Sequence, residues 1–115
     1  VPHYIANITG HGWRKIMRHP GAFTYRFHAD VPVPPVLSFI VKQAGMSQAD
    51  AYGTFNMGAG FALFVAAGDA AKTVAVAKQC GIEAWYAGVV QQGAKQVIIE
   101  PQGITFTADD MHLRA

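Results

Sequence analysis

The sequence predicts an α/β (α+β) fold: a mixed sheet with packed helices, partly ferredoxin-like. Three observations point there. Phe23, Tyr25 and Phe27 alternate with polar residues, as one face of a strand does. Val36, Leu37, Ile40, Val41 and Ala44 recur at helical spacing. The apolar run from Phe61 to Ala67 is followed by a helical stretch, Ala70 to Cys80, and then by two further strand-like segments. The first half reads strand–helix–strand–helix and the second strand–helix–strand–strand.

In chain order, His3 to Thr9 is predicted as an extended entry. Gly10-His11-Gly12 ends it and opens a short amphipathic helix, Trp13 to Arg18, which His19-Pro20-Gly21 stops. Ala22 to His28 is the alternating strand. Pro34 and Pro35 suit a helix first turn, where a missing N–H costs nothing, and Gly45 suits its end. Ser47 is positioned to cap a short helix running to Tyr52. Phe61 to Ala67, apolar on both faces, is expected as a central strand. Asp69 is the expected cap of the next helix, and Gly81 its stop. Ala84 to Gln91 and Gln96 to Glu100 are predicted strands joined by a hairpin turn at Gln92-Gly93-Ala94. Ile104 and Phe106 extend the sheet, and the tail from Asp109 is expected to be loose.

At 115 residues and 51% apolar, residues 1–115 make one domain with a sizeable core. A net charge of only +2 lacks the concentrated basic face of a nucleic-acid binder. No apolar run reaches membrane-spanning length. The single Cys80 excludes an internal disulfide framework and suits a reducing cytoplasm. The chain starts at Val1 without a methionine and enters a structured segment at once, so it is expected to be a fragment of a longer chain.

Two glycine segments are the candidate sites. Ile8-Thr9-Gly10-His11-Gly12 joins a strand to a helix start. Backbone N–H groups freed by the glycines, together with the helix dipole, suit a phosphate, and Arg14, Lys15 and Arg18 add positive charge. The other reading is an ordinary glycine turn before a surface helix. Thr54-Phe55-Asn56-Met57-Gly58-Ala59-Gly60 leads into the most apolar strand. There Asn56 is a candidate hydrogen-bonding group for a substrate, and the glycines allow close approach. The other reading is a turn in which Asn56 satisfies local backbone groups. His3, His11, His19, His28 and His112 match no metal-ligand spacing, so no metal site is predicted; His11, between two glycines, is set apart as a phosphate contact or a cover for the loop. The scattered carboxylates form no acid–base pair, and Cys80, at a helix C-terminus, is a poor nucleophile.

These segments carry a resemblance. Asn7-Ile8-Thr9-Gly10-His11-Gly12-Trp13, Pro34-Pro35-Val36-Leu37-Ser38-Phe39-Ile40 with Gly45, Thr54-Phe55-Asn56-Met57-Gly58-Ala59-Gly60, Ala84-Trp85-Tyr86-Ala87-Gly88-Val89-Val90 and Val97-Ile98-Ile99-Glu100 follow in order over almost the whole chain. The chain resembles the carboxy-terminal domain of the phosphoribosylformylglycinamidine cyclo-ligase (aminoimidazole ribonucleotide synthetase) family, and the Thr54 to Gly58 block is the most specific piece. The sequence departs from the family's pattern where His11 interrupts a run of three glycines. It departs again at Lys15 and Ile16, where an acidic residue and an asparagine are usual, at Gly53, where a basic residue is usual, and at Asp50 in place of glutamate.

The resemblance implies an ATP-driven ring closure. ATP activates the formyl-derived amide oxygen of formylglycinamidine ribonucleotide, and an internal nitrogen then closes the imidazole ring and expels phosphate. It places ATP and magnesium mainly on an amino-terminal ATP-binding domain, with this domain closing the cleft. Thr9, Gly10, His11 and Gly12 would line the phosphate side, with Asn56 and Gly58 nearby. It implies a phosphorylated nucleotide substrate, a homodimer when full length, and a cytoplasmic enzyme whose isolated carboxy-terminal domain is inactive. Two alternatives stand beside it: a divergent relative acting on another phosphorylated ligand, suggested by His11, Lys15 and Gly53, and a stand-alone non-enzymatic binding module.

Overall fold

The computed structural model describes residues 3–108. The expected loose tail from Asp109, and His112 within it, lie outside the described residues. The element order is β1 (Tyr4–Asn7), a 3-10 helix (Gly12–Arg18), β2 (Phe23–Phe27), α1 (Pro35–Ala44), α2 (Gln48–Tyr52), β3 (Phe61–Phe64), α3 (Ala70–Gln79), β4 (Gly88–Gln92), β5 (Gln96–Ile99) and β6 (Ile104–Thr107). Mixed sheet and helices together give the α/β class that the sequence predicts.

The strands form two sheets. One is four-stranded, in the order β4-β2-β5-β6, with β2 and β5 parallel and the other pairs antiparallel. The other is a two-stranded antiparallel ribbon of β1 and β3. On the inner face of the larger sheet Tyr25, Val97, Ile99, Ile104 and Phe106 are buried; the outer face carries Thr24, Gln96, Thr105 and Thr107, with Arg26 paired to Glu100 at 2.7 Å. Period-2 patterning in β6 sets this directly, since Ile104 and Phe106 are buried while Thr105 and Thr107 are exposed.

The Gly12–Arg18 segment lies against β5, α2 and β1. It forms a seven-residue 3-10 helix, where an ordinary short helix was expected. Eclipsed side chains make such runs uncommon. Here Trp13, Ile16 and Met17 all turn inward, which anchors the segment by core packing. Ile16 and Met17 are fully buried, each stabilising the fold by roughly 1.5–3 kcal/mol. Trp13 packs edge-on between Phe27 and Tyr52, at centroid distances of 5.0 and 5.2 Å.

The helix stops follow the sequence. Gly45 takes φ +66, and its N–H and that of Met46 donate to the Lys42 and Val41 carbonyls. Gly81, at φ +77, closes α3 in the same way through bonds to Lys78 and from Ile82 to Ala77. Ser47 caps α2, its Oγ accepting from the Asp50 N–H at 3.1 Å.

Three expectations are corrected. The Gln92–Ala94 link is not a hairpin turn, because β2 lies between β4 and β5. Two strand spacings of roughly 5 Å lie within reach of the four residue steps from Gln92 to Gln96. Thr24 of β2 holds the link by donating to the Ala94 carbonyl at 2.9 Å. Asp69 is no side-chain cap: its backbone is helical, at φ −101 and ψ −4, not the extended conformation of a capping residue, and it bonds through its backbone, its N–H donating to the Ala66 carbonyl at 2.8 Å and its carbonyl accepting from Thr73 Oγ1 at 2.8 Å. Finally β3 is not central. Among the described residues it pairs with β1 alone, and Phe61 and Leu63 stand exposed.

Candidate functional site

The ribbon brings the two glycine segments together. Asn7 ends β1 directly opposite Phe61, which begins β3. The 8–12 loop therefore leaves, and the 54–60 loop arrives, at the same end of the ribbon. One further backbone bond, Ile8 N–H to the Gly60 carbonyl at 2.8 Å, closes that end.

Gly12 fixes the first loop against the second. It is buried at φ +57, and a Cβ there would sit 2.0 Å from the Tyr52 carbonyl oxygen and 2.8 Å from the backbone of Gly53 and Thr54. Only glycine permits both this conformation and this approach. Its neighbours bridge the same gap. Trp13 Nε1 donates to the Asn56 carbonyl at 2.9 Å, and Arg14 Nη2 donates to the Gly53 carbonyl at 2.6 Å. Arg14 Nε also donates to the His11 carbonyl at 3.2 Å.

The six predicted residues fall into two groups. Thr9 and Gly10 lie on the exposed side of the first loop. A Cβ on Gly10 would meet nothing within 4 Å, so that side is open to a ligand. Thr9 Oγ1 accepts from Lys15 Nζ at 2.8 Å. Gly12 is on the buried side, and its N–H donates to the Thr9 carbonyl at 2.8 Å, closing the turn instead of pointing outward. His11 is half-buried with Nε2 shut off from solvent. In the second loop Asn56 Oδ1 accepts from the Gly58 N–H at 2.8 Å, the local turn bond that the alternative reading describes. This bond leaves the side-chain amide N–H₂ as the part of Asn56 suited to a ligand. Gly58, at φ +97, backs onto Pro34. Met57 between them is held at φ +52, a costly conformation for a residue with a side chain, and is buried.

The cations near the turn have separate tasks. Arg14 is drawn to Gly53, the position where the family pattern carries a basic residue, so a guanidinium reaches that place from another element. Nothing in the local sequence of Gly53 signals this; only the closeness of the two loops does. Lys15 sits at the open side, on Thr9. Arg18 lies near Tyr4, whose phenol is pushed up mainly by burial, with an opposing pull from the His19 backbone and from Arg18. Tyr52, beneath the junction, is also pushed up, first by burial and then by Asp30.

Among the described residues no group of three or more His, Cys, Asp or Glu comes together to hold a metal ion. Nor, among them, is any helix long and apolar enough to cross a membrane. A cleft of about 270 Å³ beside Met57 is lined by Ser38, Lys42 and Gln48 among others, and the predicted residues of the two loops are not part of its wall.

Comparison with known proteins gives consistent results. Residues 17–100 match the family described as AIR synthase related protein, C-terminal domain. That stretch includes Asn56 and Gly58 and begins after the first glycine loop. The chain is 36% identical over 98 residues to a phosphoribosylformylglycinamidine cyclo-ligase of Alkaliphilus oremlandii, covering 83% of this chain and 29% of the relative. It is 34% identical over 103 residues to one of Symbiobacterium thermophilum, covering 84% and 29%, and 31% identical over 94 residues to one of Paraburkholderia xenovorans, covering 78% and 26%. The chain thus spans less than a third of the length of these relatives, and it matches their carboxy-terminal part. On the matched stretch and the fold together, the chain belongs to the AIR synthase related protein family, as its C-terminal domain.

Proposed function

We propose that this chain is the carboxy-terminal half of an ATP-dependent, phosphoribosylformylglycinamidine cyclo-ligase-like enzyme of purine biosynthesis. It acts by closing the substrate cleft and holding the substrate phosphate. The convergence of the two glycine loops at one end of the β1–β3 ribbon carries this reading. Gly10 leaves room for a phosphate, and Lys15, resting on Thr9, supplies the charge. His11 contributes through its backbone, and the Asn56 amide and the Gly58 backbone orient the rest of the substrate. Gly12 holds the two loops in register.

The reaction is largely positioning and charge neutralisation. ATP phosphorylates the amide oxygen, an internal nitrogen attacks the activated carbon, and phosphate leaves as the imidazole ring closes. We assign ATP and magnesium to an amino-terminal domain, and the enzyme to a cytoplasmic homodimer. Among the described residues no three His, Cys, Asp or Glu side chains come together, and the roles proposed for this domain are positioning the substrate and neutralising its phosphate.

The test is direct. Full-length protein, given formylglycinamidine ribonucleotide and magnesium ATP, should form one aminoimidazole product per ADP. A folded full-length protein that binds both substrates and makes no product overturns the proposal. Lys15 and His11 favour a second reading, a divergent relative that takes another phosphorylated ligand. Rescue of a purine auxotroph by the full-length protein would exclude it.

A further inference from the structure

The outer face of the β1–β3 ribbon is apolar and open. Ile5, Phe61 and Leu63 are 53, 63 and 48% exposed. Ile5 stands directly opposite Leu63, and Phe61 opposite Asn7, so the three form one continuous patch. The other face already faces the core, with Ala6 buried and Tyr4, Ala62 and Phe64 packed against it. Neither strand holds a charged residue. An uncharged ribbon, apolar on both faces, is the pattern of a sheet covered on both sides. Two strands alone are also marginally stable in water.

We infer that this face docks one apolar-striped helix of the longer polypeptide, from the portion that the cyclo-ligase relatives carry ahead of the stretch matched here. The inference rests on the proposed reading of the chain as one part of a longer enzyme. Two observations choose this occupant over a second copy of the same chain. The chain accounts for 29% of the Alkaliphilus relative and matches its carboxy-terminal part, so most of such a polypeptide must pack elsewhere. The ribbon also ends at the two glycine loops, so a helix lying along it sits at the lip of the proposed cleft. Its size fits: two strands about 5 Å apart offer a strip close to the ~10 Å diameter of a single helix. The exposed stripe of α1, Val36, Phe39 and Ile40, makes a poorer platform, since it ends beside Lys42 and Gln43 whereas neither ribbon strand holds a charge.

Phe39 provides the control, because its 62% exposure here nearly equals that of Phe61. The experiment is hydroxyl-radical footprinting of the full-length protein, with each residue's oxidation rate normalised to that in the unfolded chain. Phe61 should oxidise roughly ten-fold more slowly than Phe39. Leu63→Asp should return Phe61 to the rate of Phe39. Equal rates in the parent protein overturn the inference. Protection of Phe61 that vanishes on dilution to a monomer assigns the face to a second copy and also overturns it. The ring-closure assay on the same preparation separates the two ideas: protection without ring closure sinks the proposed reaction and leaves the docking surface standing.

Discussion

The two sides of one short turn differ sharply. At Gly12 the backbone of the first loop presses on the Tyr52–Thr54 backbone, and Trp13 and Arg14 add bonds across the same gap. Two residues earlier, at Gly10, the turn has open space and one movable lysine. The closed side holds two loops together; the open side has the room that the proposed phosphate needs. A single short motif thus divides into a structural half and a half proposed to bind, and substitutions should separate them.

The largest effect is expected on the closed side. Gly12→Ala adds a Cβ that collides with the Tyr52 carbonyl and forces a left-handed backbone on a residue that resists it, costing more than about 3 kcal/mol. Urea denaturation would show it as a lower midpoint, and an unchanged midpoint would mean that the loops are not locked together here. Trp13→Phe removes the donor to the Asn56 carbonyl and thins the packing on Phe27 and Tyr52, a loss of about 1–3 kcal/mol by the same measurement.

A pH effect follows from two buried phenols, Tyr25 and Tyr52, and the partly buried Tyr4. Tyr4, Tyr25 and Tyr52 are all raised, in each case chiefly by burial. The folded state therefore keeps its phenol protons after the unfolded chain has lost them. Their contribution is complete below about pH 10 and is lost as pH rises through the raised values. Stability should fall on the alkaline side, and Tyr52→Phe should make that fall shallower. The smallest stability effect is expected on the open side. Lys15→Ala should change stability by less than about 0.5 kcal/mol and yet weaken substrate binding several-fold, read as a rise in KM of the full-length enzyme with kcat little changed.

Local rules made much of the fold legible. Gly45, Ser47 and Gly81 act at helix ends as their chemistry dictates, and the alternation in β6 buries Ile104 and Phe106. Strand pairing was less legible, because apolar alternation tells a strand's faces but not its neighbours. So the Gln92–Ala94 link read as a hairpin although β2 intervenes, and the ribbon partner of β1 went unseen. The continuous apolar run in β3 reads as a central strand, yet among the described residues it pairs with β1 alone and leaves Phe61 and Leu63 exposed. The same limit hid the junction of the two glycine loops. Sequence marks Thr9 to Gly12 and Thr54 to Gly60 separately, while the β1–β3 register is what places them together. That Arg14 reaches Gly53 depends on that register and on the 3-10 turn, and no local pattern encodes it, whereas Lys15, six residues from Thr9, is a nearby charge that the local sequence does signal.

The most direct test of the account is the KM of the full-length protein for formylglycinamidine ribonucleotide after Gly10→Val, beside its urea midpoint. KM should rise roughly ten-fold or more as the side chain fills the proposed phosphate space, with a midpoint close to the parent's. An unchanged KM in a folded, active enzyme would contradict it and return the glycine turn to a purely structural part.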